Sequence, residues 1–388
     1  MLYQLSPGFR MMDYEADVLI VGGGLSGLTA ALHLQKTGLH VIIVEKTAYP
    51  HHKVCGEYIS NEVLPYLQWL DADPRVLGAT AISRLQFSSL SGKSIETDLP
   101  LGGFGISRFS MDHFLCRQFI KRGGTVLQDT VNELHFEHNR FSIATLNEIK
   151  ISARQVIGAY GKRSAIDLKL KRRFIQQKSP YLAVKAHYAG EFPDHLVGLH
   201  NFRGGYCGVS KVEGQKINIC YLADYRSFKE HKNINAFQQR VLYQNNYLKT
   251  IFEHTDLLFE SPLTISQLSF GAKECVAGHV LMIGDTAGLI HPLCGNGMGM
   301  AIHSAKICAE LLTGFFSGTI NSRAMMEKLY ISSWEGQFRS RLRMGSILSS
   351  VLRRERMADI VLGGMICIPA ILPLIIRKTH GKILTVDQ

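Results

Sequence analysis

An apolar run from Val18 to Val21 stops at three glycines, Gly22, Gly24 and Gly27. Leu28, Ala31, Leu32 and Leu34 then return at helical spacing until Gly38. A second apolar run, Val41 to Val44, ends on Glu45. This order predicts a strand, a tight turn, a helix and a second strand. Further on, Phe114, Leu115, Phe119 and Ile120 cluster at helical intervals before Gly123-Gly124, which predicts another helix and its end. From about Tyr181 the period changes. "LAVKAHYAG" and "KINICYLAD" alternate in twos around the turn-rich "FRGGYCGVSKVEG", so strands are expected there. In "MIGDTAGLIHPLCGNGMGMA" (282–301) an apolar strand ends on Gly284-Asp285, and Gly295, Gly297 and Gly299 precede a new helix. The tail mixes arginines with long apolar residues. Its run from Val361 to Ile376 holds Gly363, Gly364, Pro369 and Pro373, and is too short and too broken for a membrane-spanning helix.

Composition places these elements in an ordinary globular protein: 388 residues, 46% hydrophobic and 19% charged, without low-complexity segments or repeats. That length suits two interleaved domains. The eight cysteines, at 55, 116, 207, 220, 275, 294, 308 and 367, form no C-x-x-C pair. Their scatter argues against a zinc site or a disulfide framework and for a reducing compartment, and no metal is expected. No secretory pattern opens the chain, and Met11 or Met12 is the expected true start, since what precedes them has no obvious structural role. The expected location is cytoplasmic, with contact to the inner face of the membrane left open. Formal net charge is +11, and residues 321–388 carry eleven Lys/Arg against five Asp/Glu. Such a balance suits an anionic partner. The tail reads either as helices closing a pocket or as a basic, apolar foot on a membrane surface. No RNA-binding signature with stacking aromatics occurs, so no nucleic acid is expected.

Glycine placement supplies the first chemistry. In G-x-G-x-x-G after a strand, the first glycine makes the turn, the second lets a pyrophosphate approach the backbone, and the third packs helix on strand. The helix start, with Leu25 and Ser26 in its first turn, holds phosphate, and Glu45, followed by Lys46, accepts from ribose hydroxyls. That turn alone fits NAD or FAD. A second glycine-bearing junction some 260 residues later distinguishes them, because an extended FAD needs a second anchor for its ribityl chain and ring.

At this point the sequence resembles the flavoprotein superfamily of p-hydroxybenzoate-hydroxylase type, which includes geranylgeranyl reductases and flavin-dependent halogenases. The resemblance runs through ordered motifs over about residues 16 to 315. It implies an α/β fold: a Rossmann-like FAD-binding domain from residues 12–164 and 276–320, an inserted, mainly antiparallel β-sheet substrate domain at 165–275, and a helical C-terminal tail at 321–388. By the same resemblance, Gly284 and Asp285 belong to the GD motif, with Asp285 bonding a ribityl hydroxyl. Pro292 would lie against the isoalloxazine ring, and Gly295, Asn296, Gly297 and Met298 would point backbone N–H groups at its pyrimidine side. A helix start there would stabilise the negative charge of reduced flavin. "HHKVCGEYIS" (51–60) looks like the reductases' segment beside the flavin, which brings Lys53 and Cys55 to the cofactor. Arg108 would contact the cofactor and Val131 the adenine. "VIGAYGKRSAID" (156–167) departs from the family: Tyr160 replaces an aspartate that takes part in cofactor and nicotinamide contacts, while Gly161, Arg163 and Ser164 match.

Two reactions fit this reading. The leading one is an NAD(P)H-driven monooxygenase that hydroxylates a lipophilic aromatic or polyketide-like substrate through a flavin hydroperoxide. Its rival is geranylgeranyl-reductase-like reduction of C=C bonds in a prenyl or polyene lipid. "KVCGE" and "GDTAG" favour the rival, and the loss of the reductases' aromatic stretch near Tyr206 opposes it. A non-catalytic, membrane- or RNA-docking flavoprotein is a third reading. Halogenation of the tryptophan type needs a Trp-x-Trp-x-Ile-Pro segment, and the chain has only Trp69 and Trp334. NAD(P)H would dock transiently, since no second dinucleotide fingerprint occurs; a separate reductase is the alternative electron source. Cys55 and His291 are weak catalytic candidates. A buried thiol and a packed loop histidine are the plainer readings of each. Glu57 would orient Lys53 or face solvent.

Overall fold

The computed structural model describes residues 13–176, 179–231, 233–266, 268, 270–352, 357, 360, 361, 364 and 371–386. The strand Asp13–Val21 buries Val18, Leu19 and Ile20 completely and pairs in parallel with Val41–Glu45 on one side and Lys150–Gly158 on the other. Thr125–Gln128 extends the sheet beyond Val41–Glu45, and Val280–Met282 extends it beyond Lys150–Gly158, both in parallel. The hairpin Val131–Glu137 and Arg140–Thr145 joins through Lys150–Gly158, and the short strand Val276–Ala277 lies at the far edge. Helices Leu25–Lys36, Arg108–Lys121 and Gly297–Phe316 pack together, and their apolar side chains join the sheet in one core. Strands buried on both faces read as continuous apolar runs, which is why Val18–Val21 and Val41–Val44 lack alternation. Each fully buried Leu or Ile here contributes about 1.5–3 kcal/mol.

The parallel strands Asp13–Val21, Val41–Glu45, Thr125–Gln128, Lys150–Gly158 and Val280–Met282 all end at one edge of the sheet. In an open α/β sheet, ligands bind in the crevice outside those carboxyl ends. Gly22–Gly27, Glu45, Ala159–Ser164 and Gly284–Asp285 follow directly from these ends.

The described residues also form a second sheet of nine strands. Tyr181–Gly190, Leu196–Phe202, Gly205–Lys211 and Ile217–Asp224 form its centre, with Thr255–Leu257 and Leu263–Ser266 against Tyr181–Gly190. The strand pattern expected from Tyr181 onward is present. The sheet also takes Tyr58–Ser60, Thr80–Ser88 and Ser94–Gly105 from the chain before residue 165, so the β-rich layer is not built from 165–275 alone. The tail forms the long helix Arg323–Leu352 and the helix Ile371–Thr379. Much of the run Val361–Ile376 lies outside the described residues. Among the described residues no helix is long and apolar enough to cross a membrane, no side-chain cluster suits a metal ion, and the seven described cysteines are free.

Candidate active site

The first glycine turn is a tight backbone crossing. Gly22 has φ +106°, and a Cβ there would stand 2.5 Å from the Ala159 carbonyl oxygen; one at Gly27 would overlap the Gly22 carbonyl. Gly24 caps the helix Leu25–Lys36 without a side chain, and Leu25 and Ser26 are buried in the first turn. A Cβ at Gly24 would lie 3.4 Å from Arg108 Nη2 and 3.5 Å from Lys53 Nζ. Two cations therefore flank an open helix start, an arrangement that attracts phosphate. The Glu45 carboxylate accepts from Gly23 N at 2.7 Å and Thr47 N at 3.0 Å, and the Tyr49 hydroxyl donates to the Gly23 carbonyl. Glu45 is thus fixed at the turn, while Lys46 is exposed.

Asp112 holds both cations. Its carboxylate accepts from Arg108 Nε and Nη2, each at 2.7 Å, and from Lys53 Nζ at 3.1 Å. Burial alone would raise the pKa of Asp112, but Arg108 and Lys53 bring it below the ordinary carboxylate range. Burial likewise opposes the charge on Arg108, and the Asp112 carboxylate outweighs it and raises the guanidinium's pKa. Sequence reasoning missed Asp112. Its spacing four residues after Arg108 on a helix was the available signal.

Glu57 departs from expectation. It neither pairs with Lys53 nor meets solvent: it is completely buried, with φ +54°. Oε1 accepts from Arg108 N at 2.8 Å and Lys185 Nζ at 2.9 Å, and Oε2 lies 2.7 Å from His187 Nε2. Burial pushes its pKa up, yet His187 and Lys185 together bring it down. This carboxylate joins the "KVCGE" loop, the Arg108 helix and the second sheet at one point.

The second glycine turn meets the first. Gly284 has φ +58°, and a Cβ there would fall 2.6 Å from Ser26 Oγ. The Gly284 amide donates to Ser304 Oγ at 2.9 Å. Thr286 Oγ1 accepts from Gly161 N at 2.8 Å and donates to the Gly161 carbonyl at 3.1 Å, which ties the "GKRS" segment to the GD turn. Lys273 Nζ donates to the carbonyls of Asp285 (2.8 Å) and Lys162 (2.9 Å), and burial pushes its pKa down to about 8. Where the family's aspartate is missing, the Tyr160 hydroxyl donates to Asp167 Oδ1 at 3.1 Å. Asp167 is in turn paired with buried Arg172 at 2.7 Å, and Arg172 donates to the Thr286 carbonyl at 2.9 Å. The half-buried Asp285 sits near enough to Arg108 to help raise its pKa.

Other expected residues fall nearby with more specific roles. Val131 is buried where its strand leaves the end of Thr125–Gln128, whose Gln128 pairs with Glu45. Asn296 is fully buried, and its Nδ2 donates to the Thr379 carbonyl at 3.0 Å and to Glu62 Oε1 at 3.3 Å. Its side chain therefore serves the tail, which leaves its backbone, with Gly297 and the buried Met298, at the helix start. His291 packs among Tyr181, Tyr206 and Phe270, with ring centroids 4.8–6.2 Å away, and its Nδ1 accepts from Leu293 N at 3.4 Å. That is the geometry of a packed loop histidine. Cys55 is half-buried, and its carbonyl accepts from Asn218.

Next to these turns lies a cavity of about 290 Å³. Gly56, Pro292 and Gly295 form one wall, the sheet residues Leu85, Phe87 and Leu199 another, and Leu372 and Ile376 of the tail close it. The site is shaped for FAD by three observations: the side-chain-free cradle at Gly24 between two cations, the fixed carboxylate of Glu45, and direct contact between the two glycine turns. Lys53 and Arg108 would hold the pyrophosphate, Glu45 the ribose and Asp285 the ribityl chain. Gly56 and Pro292–Gly295 would border the ring at the cavity.

Comparison with known proteins agrees with this geometry. The FAD binding domain family matches residues 17–53. The menaquinone reductase of Mycobacterium tuberculosis is 24% identical over 323 residues, 78% of this chain and 77% of that protein. The digeranylgeranylglycerophospholipid reductase of Methanosarcina acetivorans is 25% identical over 341 residues, 82% of this chain and 80% of that protein. The fold is shared with the flavin-dependent brominase Bmp2, at a TM-score of 0.77 and 15% identity over 94% of this chain and 93% of that one. With two glycine turns meeting at the carboxyl edge of the sheet, the chain is a FAD-dependent oxidoreductase, similar in sequence to those reductases and in fold to that brominase.

Proposed function

We propose that the protein reduces a carbon–carbon double bond in a lipophilic, isoprenoid-like substrate. The observation that carries this reading is the cavity wall, whose lining among the described residues includes no Asp, Glu, Lys or Arg. Among the described residues its one histidine is His380, whose pKa burial lowers. A planar phenol or acid wants a charged partner to orient and ionise it; a prenyl chain wants only apolar surface. The names of the two sequence relatives above, both reductases of lipids, support the same choice.

Bound FAD would supply hydride to one carbon of the double bond, and a hydroxyl among the lining residues Tyr58, Tyr206, Ser210 and Thr379 would pass a proton, replaced from solvent, to the other. The chain's own groups do the rest. Arg108, Lys53 and the helix start at Gly24 would hold the phosphates, and Asp112 and Glu57 fix Arg108. Amides at the start of Gly297–Phe316 would stabilise negative charge on a bound flavin. The apolar wall excludes water. Tyr58 and Tyr206 line the same cavity, and their hydroxyls stay protonated because burial raises both phenol pKa values. Electrons come from NAD(P)H docking transiently, or from a separate reductase.

Hydroxylation of an aromatic or polyketide-like molecule is the second reading, favoured by the rings of Tyr58, Phe87 and Tyr206 in the same wall. The test is product mass from dithionite-reduced protein given a polyprenyl lipid or an aromatic candidate. Gain of two hydrogens without oxygen supports reduction. Gain of one oxygen atom, only in air, supports hydroxylation. No turnover of either class would favour a flavoprotein that docks rather than catalyses.

A further inference from the structure

The helix Ile371–Thr379 has two faces. Leu372, Ile375 and Ile376 line the cavity. Leu374, Arg377 and Lys378 share the other face at i, i+3 and i+4 and are exposed. Leu374 is 56% exposed, and Lys382 and Ile383 (52%) are exposed just past the helix. Earlier in the tail, Ile360 is 66% exposed. Single exposed apolar residues are ordinary on a protein surface. Here Leu374 and Ile383 fall beside cations, on and just past the helix that closes the cavity, in a tail that contributes six of the chain's eleven net positive charges.

We propose that this face docks on a bilayer of anionic lipid, with Leu374 and Ile383 entering the interface and Arg377, Lys378 and Lys382 meeting the headgroups. This goes beyond the reaction: it names the surface from which a lipophilic substrate enters. Charge complementarity selects an anionic bilayer over a neutral one. The helix is also tethered to the FAD side of the molecule. The Thr379 carbonyl accepts from Asn296, Gly381 N donates to the Glu62 carboxylate, and Leu384 N donates to the Glu62 carbonyl at 2.7 Å. Docking would thus orient the cavity, and the flavin wall behind it, toward the membrane.

The experiment is co-sedimentation of the full chain with vesicles of equimolar phosphatidylcholine and phosphatidylserine, and with phosphatidylcholine alone, at low and high salt. The protein should pellet with the anionic vesicles at low salt, be released by salt, and stay in solution with phosphatidylcholine. Arg377→Glu/Lys378→Glu should weaken partitioning by about tenfold or more, and Leu374→Asp should weaken it as well. All three positions are exposed, and circular dichroism checks that the variants fold. A wild-type protein left in the supernatant, or charge-reversed variants that pellet equally, overturns the proposal. So does Leu374→Asp splitting a dimer in sedimentation velocity while vesicle binding is unchanged, because the face then joins two copies. Pelleting is read independently of flavin content or turnover, so failure here and failure of the proposed reaction are separate results.

Discussion

Alanine at Gly284 attacks the contact on which the shared site rests. Gly284 sits at φ +58°, and a Cβ would lie 2.6 Å from Ser26 Oγ and 3.0 Å from Ser26 Cβ. The left-handed backbone costs an alanine about 1–2 kcal/mol. The overlap adds about 1–3 kcal/mol, because the hydroxyl can rotate away but Ser26 Cβ cannot. Gly284→Ala should therefore destabilise by about 2–5 kcal/mol. Ser26→Gly removes both clashing atoms at a helix cost of about 0.5–1 kcal/mol, and that cost cancels in a double-mutant cycle. In the double variant the strain remains and the clash is gone, so the coupling should be about 1–3 kcal/mol. Urea denaturation of the four proteins, followed by circular dichroism, measures it. FAD titration of the same set should show the largest loss of affinity in Gly284→Ala alone. Strictly additive costs would mean that the two glycine turns do not touch.

Three further outcomes follow from the site. Glu57→Ala leaves Lys185 and His187 buried without their carboxylate and should cost about 3–5 kcal/mol in urea denaturation, with Glu57→Gln milder; wild-type stability in the alanine variant would contradict the buried clamp. Arg108→Ala should lose about 1.5–3 kcal/mol of FAD affinity by fluorescence titration, and unchanged affinity would remove Arg108 from the phosphate site. Stability should also fall on acidification. Burial lowers His33, His200 and His303 from 6.5 to about 4 each. Below pH 6.5 the unfolded chain takes up protons that these rings refuse until about pH 4, so their contribution is present above 6.5 and lost through that window, up to roughly 3 kcal/mol per ring. Glu57 and Asp112, lowered in the fold, add losses in the same direction at still lower pH. A urea midpoint that is flat from pH 7 to pH 4 would contradict this.

What the sequence made legible was local. A phosphate turn needs its glycines, helix start and acid within one short stretch, so Gly22–Glu45 and Gly284–Met298 could be read directly. The closing of the cavity by Leu372 and Ile376 matches one of the two readings of the tail. What stayed hidden depends on long-range pairing. Tyr58–Ser60, Thr80–Ser88 and Ser94–Gly105 join the second sheet through partners far along the chain, and no periodicity reveals that. Glu57 meets Lys185 and His187 more than 120 residues away, and Lys273 reaches the GD turn through carbonyls, which any lysine could do. From the sequence, Tyr160 reads as the loss of an aspartate. The fold instead places Asp167 and Arg172 behind it, and their signal was the Ser164–Asp167 capping box.

The most direct test of the account is FAD content after reconstitution, read from the absorbance of desalted protein and from calorimetric titration. The account predicts one FAD per chain, with affinity reduced by about 1.5–3 kcal/mol in Asp285→Ala through loss of a charge-assisted hydrogen bond. Protein that stays colourless and takes up no FAD would contradict it.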